Sequence, residues 1–306
     1  CTMAPPNGET SDMHERPGMF GLKKLGMSFR SVMKTGFSDD STEFSSSITP
    51  EGRTTVINKA KEVYPGLVSG KELVQKLEVV LSEKAGYSND KTLLACSLCC
   101  DEVNRELESE LRAVYGSNFS MGGLAGFAFG GVTSFGAMAH HIPNDGSCLV
   151  VYGPHVGIDT SGNVGKINRV GRASSGPCCG SATAALAYCK MVAEGEREKK
   201  VNPDDFDDAQ QVWVGSCLVP HSDRVLKADK SEVELPLALF DAQDDLMQRI
   251  VQKGCGEVAG DGKIALLGGI QINTPSGVSE YFLPKKFELR NNKGELIEDL
   301  LPALME

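Results

Sequence analysis

The chain predicts an α/β fold, a layered domain around a mainly parallel sheet. Short, nearly uncharged runs alternate along it with stretches whose apolar residues recur at helical spacing, as they do when strands are joined by crossover helices. A length of 306 residues suits one large core or two modest ones.

Residues 1–52 are rich in Ser, Thr, Gly, Pro and Met without a sustained period, and they read as an N-terminal arm that orders only by docking. Residues 53–306 read as a single α/β domain. A subdomain break is placed near 200–208, where the chain turns acidic around Pro203. Opening on Cys1 rather than Met, the chain reads as a processed form whose targeting segment has been removed.

Within the domain, Ser69-Gly70-Lys71-Glu72 has the form of a capping box. Leu73, Val74, Leu77, Val80 and Leu81 follow on one helix face, and Gly86 supplies the stop. Leu93–Cys99 reads as a buried strand. The next helix carries Val103, Leu107, Leu111 and Val114 on one stripe and ends before Gly116. Cys148–Tyr152 is a second buried strand and Lys166–Val170 a third, edge-like one. Ser181–Ala193 is a helix of small residues suited to close packing. Val212–Val219 and Ile264–Ile272 complete the strands, with a helix around Ala242–Val251 between them.

The formal charge of −10 argues against a nucleic-acid surface, which needs clustered Lys and Arg. Met121–Ala139 carries no charge over a length that would flag a membrane span. Six of its positions are Gly (122, 123, 126, 130, 131 and 136), so it reads as a tightly packed buried segment instead. Ten cysteines are too few for a disulfide scaffold. Two adjacent pairs, Cys99-Cys100 and Cys178-Cys179, are poorly placed for bridging. A reducing compartment, or thiols committed to a metal, fits better.

Three places carry candidate chemistry. Cys99-Cys100-Asp101 ends the first strand; alternation puts Cys99 and Asp101 on one face, where a thiolate and a carboxylate can share a metal site, although a buried cysteine pair beside a helix cap reads equally well. Cys178-Cys179 precedes the Ser181 helix, whose positive N-terminus favours a thiolate; a core pair or a redox pair are the other readings. His155 follows the Cys148–Tyr152 strand at the end where α/β folds place their sites, and a lone structural histidine is its plainer reading. Two Cys and one His from different elements form an open three-ligand set. Closed structural zinc sites instead use four ligands, and no second Cys-x-x-Cys pair accompanies Cys96 and Cys99.

Leu98-Cys99-Cys100-Asp101-Glu102-Val103, Gly153-Pro154-His155, Arg169-Val170-Gly171-Arg172 and Cys178-Cys179-Gly180 resemble the limiting-CO2-inducible protein B/C family, algal proteins related to β-type carbonic anhydrases. The Gly-rich stretch from Gly122 to Thr133 matches as well, and the resemblance spans about residues 88–195. It implies a β-carbonic-anhydrase-like fold and a Zn2+ ion on Cys99, His155 and Cys179. It also implies an Asp–Arg dyad built on Asp101, interconversion of CO2 and bicarbonate, a homodimer, and a place in the chloroplast stroma or pyrenoid region. The chain departs from ordinary β-carbonic anhydrases in two ways. Val103 stands where their Arg follows the first Cys, and 24 positions separate His155 from Cys179. The dyad arginine must come from elsewhere, with Arg172 the first choice and Arg169 the second. Gly123, Phe127, Phe129 and Thr133 are expected to line the substrate pocket, and His140 or His141 to shuttle protons. The competing reading is a catalytically silent zinc-containing subunit of a carbon-concentrating assembly.

Overall fold

The structure, a computed structural model, describes residues 48–197 and 207–306. The expected arm thus falls almost wholly outside the described residues, as does most of the expected break near 200–208. The fold begins at α1 (Pro50–Val63), capped by Thr49, whose hydroxyl accepts from the Gly52 N–H. After β1 (Val68–Ser69), the Ser69 side chain caps α2 (Gly70–Val80) by accepting from the Glu72 N–H, and Gly86 ends the following turn at φ +71°.

β2 (Thr92–Ser97) leads into α3 (Arg105–Tyr115), which buries Leu107, Leu111 and Tyr115. β3 (Asn118–Ser120) and α4 (Gly131–Ala139) follow, then β4 (Ser147–Tyr152), β5 (His155–Gly157), β6 (Lys166–Ile167) and β7 (Gly176–Pro177). The remaining elements are α5 (Gly180–Ala193), α6 (Ala209–Leu218), α7 (Ser222–Leu226), α8 (Ser231–Gly254), β8 (Ile264–Asn273), β9 (Tyr281–Arg290), β10 (Leu296–Asp299) and α9 (Leu301–Met305).

The sheet runs β1-β9-β8-β4-β2-β3, with β5 extending beside the end of β8 and β10 paired to β9. β3, β2, β4, β5 and β8 are parallel; β9 runs antiparallel to β8 and takes β1 and β10 antiparallel in turn. Both faces are covered, so side chains divide by alternation. Cys148, Val150 and Tyr152 of β4 join one core with Met247, Ile250 and Val251 of α8, while Leu149 and Val151 join another with Leu73 and Leu77 of α2. That double burial is why β2, β4 and β8 read as unbroken apolar runs.

The Val212–Val219 strand expected from sequence is helix α6. Its buried positions Gln211, Val212, Val214, Gly215 and Leu218 follow a helical rather than an alternating spacing, and a short apolar run does not separate the two. The edge strand expected over Lys166–Val170 shrinks to the two residues of β6, paired with β7 outside the main sheet. The Ala242–Val251 helix extends to twenty-four residues, with Pro236 in its first two turns. No described helix is long and apolar enough to cross a membrane, and Met121–Ala139 divides into a loop and α4. A Cβ on Gly122 would lie 2.1 Å from the Leu98 carbonyl oxygen, so this stretch is Gly-rich because it packs backbone against backbone. The nine described cysteines are all free.

One contact sets the strand ends. At Gly153, just past β4, a Cβ would come within 1.7 Å of the Gly269 carbonyl oxygen on β8. Gly153→Ala is therefore expected to destabilise the fold by about 3 kcal/mol or more. Gly86→Ala, with a left-handed φ but nothing within 4 Å, should cost only about 1 kcal/mol. Urea unfolding of the two variants checks the contrast; equal losses would show that the Gly153 contact imposes nothing.

Candidate metal centre

β2 and β4 lie side by side and parallel, but their onward connections diverge, β2 to β3 at one edge and β4 towards β8 on the other side. A crevice opens between strand ends at such a switch point, and Cys99 and His155 stand there, just past β2 and β4. Cys179 reaches the same place as the N-cap of α5, its sulfur accepting from the Ala182 N–H at 3.4 Å. The donor atoms of Cys99, His155 and Cys179 lie within 4.8 Å of one another, and all three residues are buried. Cys100 is exposed. Because β2 ends at Ser97, a turn rather than strand alternation separates Cys99 from its neighbour. Cys96 belongs to the core on the other face of the sheet.

The charges in this cluster are coupled. The Cys99 thiol is lowered to about 4, chiefly by a hydrogen bond from Cys179 and also by His155, against the opposing effect of burial. Cys179 is raised by the same bond and by burial, opposed by His155. Burial pulls His155 down, but the charges of Cys179 and Cys178 outweigh it and raise its pKa.

Asp101 Oδ1 caps the turn after Cys99 by accepting from the Val103 N–H. The Arg169 guanidinium holds both carboxylate oxygens, Nη1 to Oδ1 and Nη2 to Oδ2, each at 2.8 Å. Arg169 also donates to the Cys178 carbonyl and pairs with Glu102. Burial would raise Asp101, but the arginine outweighs it and holds the carboxyl at about 2. Arg172, the first choice from sequence, is exposed and makes no ion pair among the described residues. Its N–H returns to the Arg169 carbonyl in a tight turn through Gly171 (φ +77°), which leaves Arg169 facing Asp101. The loop carrying Arg169 is pinned by buried Asp159, whose carboxylate accepts from the backbone of Ser161 and Asn163 and from the side chains of Asn163 and Ser175.

Sequence reasoning missed the groups behind His155. Asn273, at the end of β8, presents Oδ1 to His155 Nδ1 at 2.7 Å. Its amide nitrogen donates to the Val103 carbonyl and to Glu280, which also accepts from Gln271. Burial raises Glu280 to about 7, opposed by those amide donors. A signal was present. Gln271 and Asn273 are the polar exceptions in a ten-residue strand buried at every position, and buried amides mark hydrogen-bonded networks.

The four residues expected to line the substrate pocket do not line the cavity beside the cluster. Phe127 is fully buried and shares a core with Cys99 and Cys179. Phe129 is half exposed against Trp213, Thr133 is exposed on α4, and Gly123 packs on Gln210. Part of the Gly-rich segment is stacked on the strand end, with Gly122 against the Leu98 backbone and Gly126 close to the Cys99 N. The cavity, about 260 Å³, lies instead between α5 and α8. His155, Cys178 and Cys179 form one end, and Val156, Val164, Ala182, Leu186, Leu235 and Leu239 are among its walls. His140 pairs with Glu257, and His141 lies edge-on to Phe119. Both sit in the turn that leads into the start of β4, whereas the cluster lies beyond its other end.

A family model described as limiting CO2-inducible proteins B/C β-carbonic anhydrases matches residues 67–291. The crystal structure of PtLCIB4, a homolog of the limiting CO2-inducible protein LCIB, is 43% identical over 80% of this chain and 100% of that one, with a TM-score of 0.75. A histidine-to-alanine mutant of PtLCIB4 matches at 42% identity over 81% and 99% of the two chains, TM-score 0.75. LCIB itself shares the fold at 22% identity over 78% and 96%, TM-score 0.59. No curated protein matches.

The two arginines make opposite predictions. Arg169→Ala strips a mostly buried carboxylate of its partner and should cost about 1–3 kcal/mol, whereas Arg172→Ala should change stability by less than about 0.5 kcal/mol. Urea midpoints of the two variants test this, and a larger loss for Arg172→Ala would contradict the pairing.

Proposed function

Since the chain belongs to the limiting CO2-inducible protein B/C family of β-carbonic-anhydrase-like proteins, we propose that it is a zinc-dependent carbonic anhydrase interconverting CO2 and bicarbonate. The observation that carries this reading is the buried convergence of Cys99, His155 and Cys179. Two thiols and an imidazole form a donor set suited to zinc. His155 fits it atom by atom, because Nδ1 is taken by Asn273 while Nε2 is buried without a hydrogen-bond partner among the described residues.

Zinc held there supplies the Lewis acidity that makes water a nucleophile near neutral pH. The protein's own groups do the rest. Arg169 keeps Asp101 ionised, so the carboxylate is an acceptor only. Oδ1 is committed to both Arg169 and Val103, and Oδ2 keeps a lone pair that can accept a hydrogen bond from the attacking water and orient it. The apolar walls between α5 and α8 suit a small apolar substrate. Engagement of Asp101 by Arg169 also supports an open fourth position, because that carboxylate is held by the guanidinium and stands outside the three-residue cluster. A chloroplast setting and a homodimer belong to the same proposal.

Cys179→Ser should lose stoichiometric zinc and CO2-hydration activity together, measured by metal analysis and stopped-flow pH indicator. Full activity in that variant would refute the site. Wild-type protein that is replete with zinc and inert would make it the silent subunit instead.

A further inference from the structure

Resting on the zinc reading above, we infer that Glu280 is a positioning residue for the metal centre, acting through Asn273 to fix which nitrogen of His155 is free to bind. The four side chains involved, His155, Gln271, Asn273 and Glu280, are all buried. β5 pairs with β8 so that His155 stands opposite Gln271 and Gly157 opposite Asn273. Glu280 sits just before β9, which is antiparallel to β8, and its carboxylate spans the two amides, Oε1 accepting from Asn273 Nδ2 at 3.1 Å and Oε2 from Gln271 Nε2 at 2.8 Å.

The consequence follows from which groups donate. Asn273 Nδ2 gives one hydrogen to the Val103 carbonyl at 2.9 Å and one to Glu280. The Val103 carbonyl can only accept, and so does the Glu280 carboxylate in its ionised form, so the amide cannot then reverse without pressing its oxygen against a carbonyl and a carboxylate. Asn273 Oδ1 is thereby held towards His155 Nδ1 at 2.7 Å. A carbonyl oxygen only accepts, so Nδ1 carries the proton and Nε2 supplies the lone pair. The Cys178 thiol, 3.6 Å from the same oxygen, adds a second donor to it. An asparagine in the reversed orientation would offer N–H to Nδ1 and place the imidazole proton on Nε2, where it blocks coordination. Outer partners of this kind orient ligating histidines, and this one lies two hydrogen bonds from the ring.

Glu280→Gln tests the idea with little change of shape. Keeping the shorter bond from Gln271 Nε2 places the new amide's oxygen there and its N–H against Asn273 Nδ2, a donor facing a donor, which favours the reversed asparagine. The variant's zinc dissociation constant, measured by chelator competition, should rise by about tenfold to a hundredfold. The 15N signature of a His155 ring protonated at Nδ1 should weaken in the zinc-loaded protein. In an Asn273→Ser background the added Glu280→Gln change should have no further effect, because the intermediary is gone. Zinc affinity within a factor of about two of wild type, or a Glu280→Gln effect undiminished by Asn273→Ser, would overturn the inference. If Glu280→Gln does not fold, Glu280→Asp, which keeps the charge but withdraws it, should weaken zinc by a smaller factor, and unchanged affinity there would count equally against it. Cys179→Ser run alongside separates the two levels: zinc retained in that variant would refute the metal centre itself, while zinc lost there and kept in Glu280→Gln would refute only the role of Glu280.

Discussion

The parallel pairing of β2 with β4 is the constraint on which the remainder of the centre depends. Six consecutive pairs, from Thr92 opposite Ser147 to Ser97 opposite Tyr152, bring the two strands to a common end. Because the chain leaves β2 and β4 in opposite directions, neither crossover covers the space between them. Cys99 and His155 are the first chemically able residues past those ends. Glycine makes the approach close: Gly122 lies on the Leu98 backbone and Gly153 on Gly269. Gln243 of α8 then ties the Gly-rich segment to β2 by donating to both the Ser97 and Gly126 carbonyls. Two backbone segments and a strand end are thus held in contact before any side chain reaches the centre.

The three candidate ligands are buried, which makes an unmatched charge beside them expensive, and the polar groups around them are correspondingly committed. Arg169 bonds Asp101 and the Cys178 carbonyl at once, joining the segment after β2 to the segment before α5. Asp159 receives four hydrogen bonds and so fixes the loop from which Arg169 projects. Asn273 joins the end of β8 to His155 and to the Val103 carbonyl. Each of the three ligand-bearing segments is therefore cross-linked to at least one other by a polar side chain. Such a lattice can hold thiols and an imidazole a few ångströms apart without leaning on the metal for its geometry.

Much of this was legible in the sequence, and the rest was hidden for identifiable reasons. β2, β4 and β8 announced themselves because strands buried on both faces cannot hide their apolar runs, and α2 and α3 because their stripes and stops are local signals. α6 was misread because Val212–Leu218 is too short and apolar for period to decide between strand and helix. Gly and Phe in one segment suggest a cavity wall, but whether glycine opens space or closes it depends on what packs there, and at Gly122 it is the Leu98 backbone. The arginine nearer the site was ranked second because the turn at Gly171, which sends Arg172 outward, leaves no mark beyond a glycine. Asn273 and Glu280 went unseen because their partners are 118 and 7 residues away respectively, and a hydrogen bond of that kind has no sequence spacing of its own.

The separation of His155 from Cys179 then acquires a physical meaning. Ordinary β-carbonic anhydrases, by the resemblance described above, place their dyad arginine four residues after the first cysteine, where this chain has Val103. Here the intervening segment is no passive spacer. It leaves β5, passes the Asp159 staple, supplies Arg169 and returns through β7 to the N-cap of α5. The arginine approaches Asp101 from the segment between His155 and Cys179 rather than from the turn after Cys99, while the Val103 main-chain carbonyl accepts from Asn273. The two departures from the ordinary pattern are thus one rearrangement: the longer path between His155 and Cys179 carries the dyad partner that the position after Cys99 does not supply.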